Sequence, residues 1–183
     1  MKIEYFLTLA LLQPLHALSM DTNKKVEAIS KQYLGDPYVW GGNTPETGMD
    51  CSGYTKYVFK KVGITIPRTA YAQSKVGEAI DKRNLKKGDL LFFLTDKKRN
   101  IPITHVGIYL GGGKFIHAAS SKKGIIISSL NTGYYNKVFK SAKRIMDNTS
   151  HFIKSFYIVL DKEAMNSSMK PKLISFGGTN ATF

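Results

Sequence analysis

The spacing of apolar residues along this 183-residue chain changes once, near Leu85. Before that point apolar positions recur every three or four residues: Val26, Ile29, Tyr33 and Leu34 within 22–34, then Tyr54, Tyr57, Val58 and Val62 within 52–62. That period predicts two amphipathic helices. Gly35 with Pro37 closes the first and Gly63 the second. Between them, 41–49 is rich in Gly, Asn, Pro and Thr and reads as a loop. "ITIPRTAYAQSKVG" predicts an extended piece and then a short helix from Thr69 or Ala70. Beyond Leu85, "LKKGDLLFFL" reads as a turn and a buried strand, and "DKKRNIPI" as a basic loop. "THVGIYL", "GKFIHAA", "GIIISSL" and "FKSAKRIM" then read as strands separated by Gly-rich turns. Helices followed by an antiparallel sheet imply an α+β fold.

The two ends differ in pattern from this middle. Residues 1–19 open with Lys2, run apolar from Tyr5 to Leu12, and reach Pro14, Ala17 and Ser19. This reads as a secretory signal cleaved after Ser19, with an amphipathic first helix as the competing reading. The apolar run is too short to span a membrane, so no stable insertion is expected. After Met146 the composition turns polar around one apolar run, 152–160. The expected organisation is therefore a signal over 1–19, one domain over 20–147, and an extension of unassigned role over 148–183. Asn-x-Ser/Thr triplets at Asn148, Asn166 and Asn180 are of the kind that a polar tail supplies by chance.

Composition limits the function classes. Apolar content of 43% and charged content of 22% suit a globular domain rather than a disordered one. A formal charge of +14 attracts polyanions: nucleic acid, anionic lipid or the acidic polymers of a bacterial envelope. The single cysteine, Cys51, makes an internal disulfide and a multi-thiolate metal site impossible. What remains is an inert core thiol or a nucleophile. Cys51 lies at the expected start of the second helix, where unpaired N–H groups and the macrodipole favour a thiolate and can receive an oxyanion. A protonated histidine nearby would lower the thiol further.

"THVGIYLGGGKFIHAA" supplies the histidines. A tight hairpin centred near Gly111 would set His105 and His117 directly opposite each other on one face. A slip of one residue would part them. Such a pair could be two ligands of a metal, with Cys51 or Asp50 as a third. It could be a general base with its orienter, or two unrelated residues. Spacing alone leaves these open.

Five pieces in order resemble the NlpC family of papain-like cell-wall cysteine peptidases: "YVWGG" at 38–42, "DCSG" at 50–53, "GITIPRTAYAQ" at 63–73, "KGDLLFF" at 87–93 and "HVGIYLGGGKFIHA" at 105–118. The resemblance spans about 22–146. It implies Cys51 as nucleophile, His105 as general base and His117 as the orienting third residue. It implies that the Tyr38 hydroxyl joins the Cys51 N–H in holding the oxyanion, and that Asp50 and Ser52 line the substrate cleft. The implied substrate is the peptidoglycan stem peptide, cut between γ-D-glutamyl and a diamino acid such as diaminopimelate. No metal or other cofactor is implied. Relatives that trim free muropeptides often carry Pro-Arg-Asp-Ser where this chain has "PRTA", with Ala70 at the Ser position. That departure leans toward an endopeptidase acting on intact wall.

The expected protein is thus an exported, monomeric peptidase of the envelope. A silent wall-binding module, or an amidase or acyltransferase on the same scaffold, are the competing readings. A nucleic-acid partner would explain the charge but not the Cys–His–His set, and none is expected. Trp40 is expected in the core, Arg68 in a structural ion pair rather than in catalysis, and Asp89 bonded to turn N–H groups. The basic run at 97–99 is expected to be a solvated loop.

Overall fold

A computed structural model describes residues 22–145. The expected signal and the 148–183 extension lie outside the described residues. The chain opens with helix α1 over 22–31, followed by turns to Gly35. A small hairpin, β1 (Asn43–Thr44) and β2 (Gly48–Met49), leads into α2 (Cys51–Lys61). The short α3 (Ala70–Gln73) follows, capped by the Thr69 side chain. Six strands then form one sheet: β3 (Glu78–Ile80), β4 (Leu90–Phe93), β5 (His105–Gly111), β6 (Lys114–Ser120), β7 (Gly124–Ser129) and β8 (Phe139–Arg144). Their order is β3-β8-β4-β5-β6-β7, and every pairing is antiparallel. A one-and-a-half-turn helix, α4 (Gly133–Val138), joins β7 to β8.

The run "LLFF" is buried on both sides, because β4 is central and each sheet face is covered. Leu90 and Phe92 join Val106, Ile108, Ile116, Tyr54, Val58 and Phe59 in the larger core, under α1 and α2. Leu91 and Phe93 join Phe115 and Leu130 in a smaller cluster, with Tyr109, Tyr135 and Phe139 packed on it. The Tyr54 hydroxyl donates to the Ser30 carbonyl at 2.8 Å and ties α2 to the end of α1. Asp89 is fully buried, accepts the Lys86 N–H at 2.8 Å and pairs with Arg144 at 2.8 Å, which locks the turn before β4 onto β8.

Two elements and the placement of Trp40 differ from the sequence expectation. β3 and α4 are too short to show a period, and "GYYNKV" carries no apolar stripe. Trp40 is not core: it is 71% exposed, with the Arg99 guanidinium 5.1 Å above its ring. A cation over the aromatic face takes the place of core packing. Arg99 belongs to the "KKR" run, which forms a single 3₁₀ turn, Lys97–Arg99.

The β5–β6 hairpin corrects the expected register. Its turn residues are Gly112 and Gly113, at φ 57° and 71°, the two positive values of a type I′ turn. A bulge between Tyr109 and Gly111 adds a residue to β5. The register beyond it pairs Ile108 with Ile116, which carried onward sets His117 across from Gly107. His105 is therefore the diagonal neighbour of His117 rather than its direct partner. The offset is two residues, so both rings stay on one face.

Gly107 is what makes the diagonal contact possible. A Cβ there would stand 2.6 Å from the Phe115 ring, 3.0 Å from the Ile116 carbonyl oxygen and 3.1 Å from the His117 Cβ. Gly107→Ala is expected to cost about 1–3 kcal/mol through overpacking, read as a lowered Tm in thermal denaturation.

Candidate active site

The site is assembled around the first turn of α2. Asp50 precedes the helix in extended backbone (φ −82°, ψ 177°), and its Oδ1 accepts the Gly53 N–H at 2.7 Å. This is an N-cap, and it satisfies one of the helix's orphan donors. Asp50 Oδ2 accepts the Gly41 N–H at 3.0 Å. Arg68 grips both oxygens, Nη1 to Oδ1 at 3.0 Å and Nη2 to Oδ2 at 2.7 Å, while Nη2 also donates to the Gly42 carbonyl at 3.2 Å. Ser52 Oγ donates to Asp50 Oδ1 at 3.2 Å and accepts from Arg68 at 3.0 Å. Gln73 fastens the same turn to the next segment, donating to the Ser52 carbonyl at 3.0 Å and the Pro67 carbonyl at 2.8 Å.

Asp50 and Ser52 are thus buried and turned inward, where the sequence expectation had them lining a cleft. A carboxylate that must cap a helix and meet a guanidinium has few lone pairs left for a ligand. Burial pushes the Asp50 carboxyl up, but Arg68, the Gly53 N–H and Ser52 outweigh it and hold it below its ordinary value. Arg68 is raised by the same contact. The pair is ionised, as expected of a structural ion pair, and its charge stands next to the thiol.

Cys51 is the first residue of α2 and is 8% exposed. Burial pushes its thiol up to about 11, and the Asp50 charge adds to this. The N–H groups of Val106 and Ser52 bond to the sulfur and pull the other way without prevailing. The expected lowering by the helix terminus is present but smaller than the cost of burial. Val106 follows His105 in β5, so the thiol meets the sheet at the strand that carries that histidine. Tyr38, on the segment before the loop, is half-buried and packs on the same core. Its hydroxyl is pushed up to about 12 by burial, then by the nearby Cys51 and Asp50 charges.

The two histidines are hydrogen-bonded, His105 Nε2 to His117 Nδ1 at 2.7 Å, with ring planes at 87°. His117 Nε2 in turn meets Ser128 Oγ of β7 at 3.0 Å. Burial pushes His105 down to about 4, against the Asp50 charge. Burial, His105 and Lys123 push His117 down to about 2. Burial thus disfavours the charged form of the thiol and of both imidazoles. Among the described residues no group of three or more His, Cys, Asp or Glu is placed to hold a metal ion.

Sequence reasoning missed Tyr135 and Ser128. The Tyr135 ring lies 4.9 Å from that of His117 and 6.2 Å from that of His105, edge-on to the first and stacked on the second. It roofs the pair from α4, and its hydroxyl is pushed up to about 12 by burial, then by Tyr134 and Cys51. The α4 segment showed no period to mark it. Ser128 was visible in principle. It pairs with Phe115 across β6–β7, and so shares a face with His117.

A thiol at a helix start, set against an antiparallel sheet that carries an imidazole pair, defines a papain-like fold. Within that class the chain belongs to the NlpC/P60 family, whose pattern matches residues 35–144. It is 42% identical over 116 residues to a gamma-D-glutamyl-L-lysine dipeptidyl-peptidase of Bacillus cereus, covering 63% of this chain and 34% of that one. It is 42% identical over 127 residues to the bifunctional muramidase/DL-endopeptidase CwlT of Bacillus subtilis, covering 69% of this chain and 38% of that one. The crystal structure of an NlpC/P60 family protein from Bacillus cereus superposes with a TM-score of 0.62 at 39% identity, over 67% of this chain and 39% of that one. The chain thus spans little more than a third of the length of these relatives.

The buried imidazoles make stability depend on pH. Their folded values lie below the ordinary 6.5. Below pH 6.5 the unfolded chain therefore binds protons that the native one does not, and stability falls as pH falls toward 4. The loss is about 2 kcal/mol per histidine between pH 6.5 and 5. Tm measured against pH should show this slope, and His117→Gln should flatten it. The loss tied to Asp50 starts only below its ordinary 3.8.

Proposed function

We propose that this chain is an exported cysteine endopeptidase of the bacterial envelope that cleaves peptidoglycan stem peptides at the γ-D-glutamyl–diamino acid bond. The observation that carries the reading is the hydrogen-bonded His105–His117 pair together with a thiol that opens a helix and meets the N–H of Val106, the residue after His105. The similarity to a gamma-D-glutamyl-L-lysine dipeptidyl-peptidase and to a bifunctional muramidase/DL-endopeptidase supports that bond class. The charge of +14 suits an anionic wall polymer. Among the described residues no helix is long and apolar enough to cross a membrane. The catalytic domain is assigned to 20–147, preceded by an export signal over 1–19 and followed by an extension over 148–183. It acts as a monomer and without a metal.

Cys51 is the nucleophile and His105 the general base. His105 Nε2 is taken by His117, which leaves Nδ1 to accept the thiol proton. Because thiol and imidazole both rest neutral, the proton moves as sulfur attacks the γ-carbonyl carbon, rather than from a standing ion pair. The oxyanion is held by the Cys51 N–H and the Tyr38 hydroxyl. Collapse breaks the C–N bond, and the leaving amine takes the proton from His105 Nδ1. Water then gives a proton to His105 and attacks the thioester, and sulfur leaves as the thiol. Asp50, Ser52 and Arg68 hold the helix start that presents the nucleophile.

Digestion of purified peptidoglycan with the full chain, its products identified by mass spectrometry, tests this reading. New γ-D-glutamyl ends are expected from the wild type and none from Cys51→Ala. Sacculi left intact while both proteins sediment with them would show a wall-binding module instead.

A second outcome concerns the resting pair. With the thiol raised to about 11, alkylation of Cys51 by iodoacetamide in the free protein should be slow at pH 7 and should rise roughly tenfold per pH unit toward 10. A rate already at its plateau at pH 7 would show a standing thiolate.

A further inference from the structure

We propose that Ser128 is a positioning residue, whose Oγ accepts the Nε2–H of His117 and holds that ring with Nδ1 turned to receive the Nε2–H of a protonated His105. The inference rests on the peptidase reading and extends it to a residue outside the Cys–His–His set.

The argument starts from proton counting along the chain of contacts. In the resting state the His105 Nε2···His117 Nδ1 contact of 2.7 Å can run in either direction, since a neutral imidazole carries one donor and one acceptor. Once His105 has taken the thiol proton, both of its nitrogens are donors. His117 Nδ1 must then accept. A neutral His117 that accepts at Nδ1 carries its own hydrogen on Nε2, and that hydrogen points at Ser128 Oγ, 3.0 Å away. Only one polarity survives in the charged state: His105 to His117 to Ser128. The oxygen at the end of the line must accept.

A serine suits this place. Its hydroxyl oxygen has two lone pairs, and Ser128 is only partly buried, so its own hydrogen can be given to solvent. A carboxylate there would favour a charged His117, which would repel the imidazolium of His105. A hydroxyl keeps the orienter neutral, in agreement with the strong downward push on His117. The backbone supports the geometry. Ser128 pairs with Phe115, two residues from His117, so His105, His117 and Ser128 form a diagonal across β5, β6 and β7 on one face of the sheet. Tyr135 covers both imidazoles and limits other donors. Nothing in the hydrophobic core calls for a hydroxyl at this position.

The bond from His117 to Ser128 matters most when His105 is charged, so its loss should slow the chemical step more than it weakens substrate binding. The test uses the full chain labelled with ¹⁵N at histidine, with Ser128→Ala and Ser128→Thr. A synthetic stem peptide containing γ-D-glutamyl-diaminopimelate serves as substrate, and long-range ¹H–¹⁵N spectra report which His117 nitrogen is protonated. The expected result for Ser128→Ala is a kcat lower by about tenfold, the worth of one hydrogen bond. KM and Tm should stay close to wild type, and the His117 Nε2–H form should give way to a mixture of tautomers. Ser128→Thr should restore both rate and spectrum. An unchanged kcat and spectrum in Ser128→Ala would overturn the proposal and leave the peptidase reading intact. A fall in kcat that follows Tm and is not rescued by Thr would reduce Ser128 to a structural residue and overturn it as well. If the wild type cleaves nothing, the peptidase reading fails. The spectra then decide Ser128 alone, and His117 protonated on Nδ1 in the wild type would refute the assignment.

Discussion

Everything chemical in this domain hangs on the carboxylate of Asp50. It caps α2 through the Gly53 N–H, holds the Gly41 N–H, and is clamped by both Arg68 nitrogens. One side chain therefore joins three segments: the loop after Tyr38, the helix that starts with Cys51, and the stretch that carries Arg68. Close packing tightens the join. Gly53 meets the Gly42 carbonyl so nearly that an added Cβ would collide with it. A partly buried ion pair of this kind is a poor source of stability but resists losing one partner. Its worth here is placement, since it fixes the thiol within reach of the sheet.

The same carboxylate shapes the electrostatics. Helix N–H groups and the Val106 N–H favour a thiolate, while burial and the Asp50 charge oppose it, and the opposition prevails. Burial likewise keeps both imidazoles neutral. A centre built this way stores a mobile proton rather than a standing ion pair. In the proposed mechanism, charge appears only when the substrate supplies an oxyanion to share the cost. In that proposed step the partners that matter are acceptors for the imidazolium, which is the weight the proposal gives to the line from His105 through His117 to Ser128.

Much of this was legible along the chain. Helical spacing located α2, and an Asp before a Cys–Ser–Gly step marked a helix start. Alternation in the later strands put His105 and His117 on one face, and that survives a register error because the error is even. The error itself came from a bulge that no composition rule announces, combined with three consecutive glycines that allow more than one turn. Trp40 was misplaced because an indole in an apolar-looking stretch reads as core, whereas its partner Arg99 is distant in sequence. Tyr135 was invisible because its segment forms barely more than one helical turn. Asp50 and Ser52 were seen as site residues, yet their inward bonds depend on Arg68, a contact that only the fold creates. Periodicity reports faces; it does not report which buried groups outbid one another.

The most direct test of the account is the covalent intermediate. The full chain, mixed with a stem peptide for seconds and quenched in acid, would be examined by intact-mass and peptide-mapping mass spectrometry. The account predicts an added γ-glutamyl acyl mass on the peptide that contains Cys51, lost on treatment with hydroxylamine and absent from Cys51→Ala. Stem-peptide cleavage that continues in Cys51→Ala, with no acyl mass on the wild type, would contradict it.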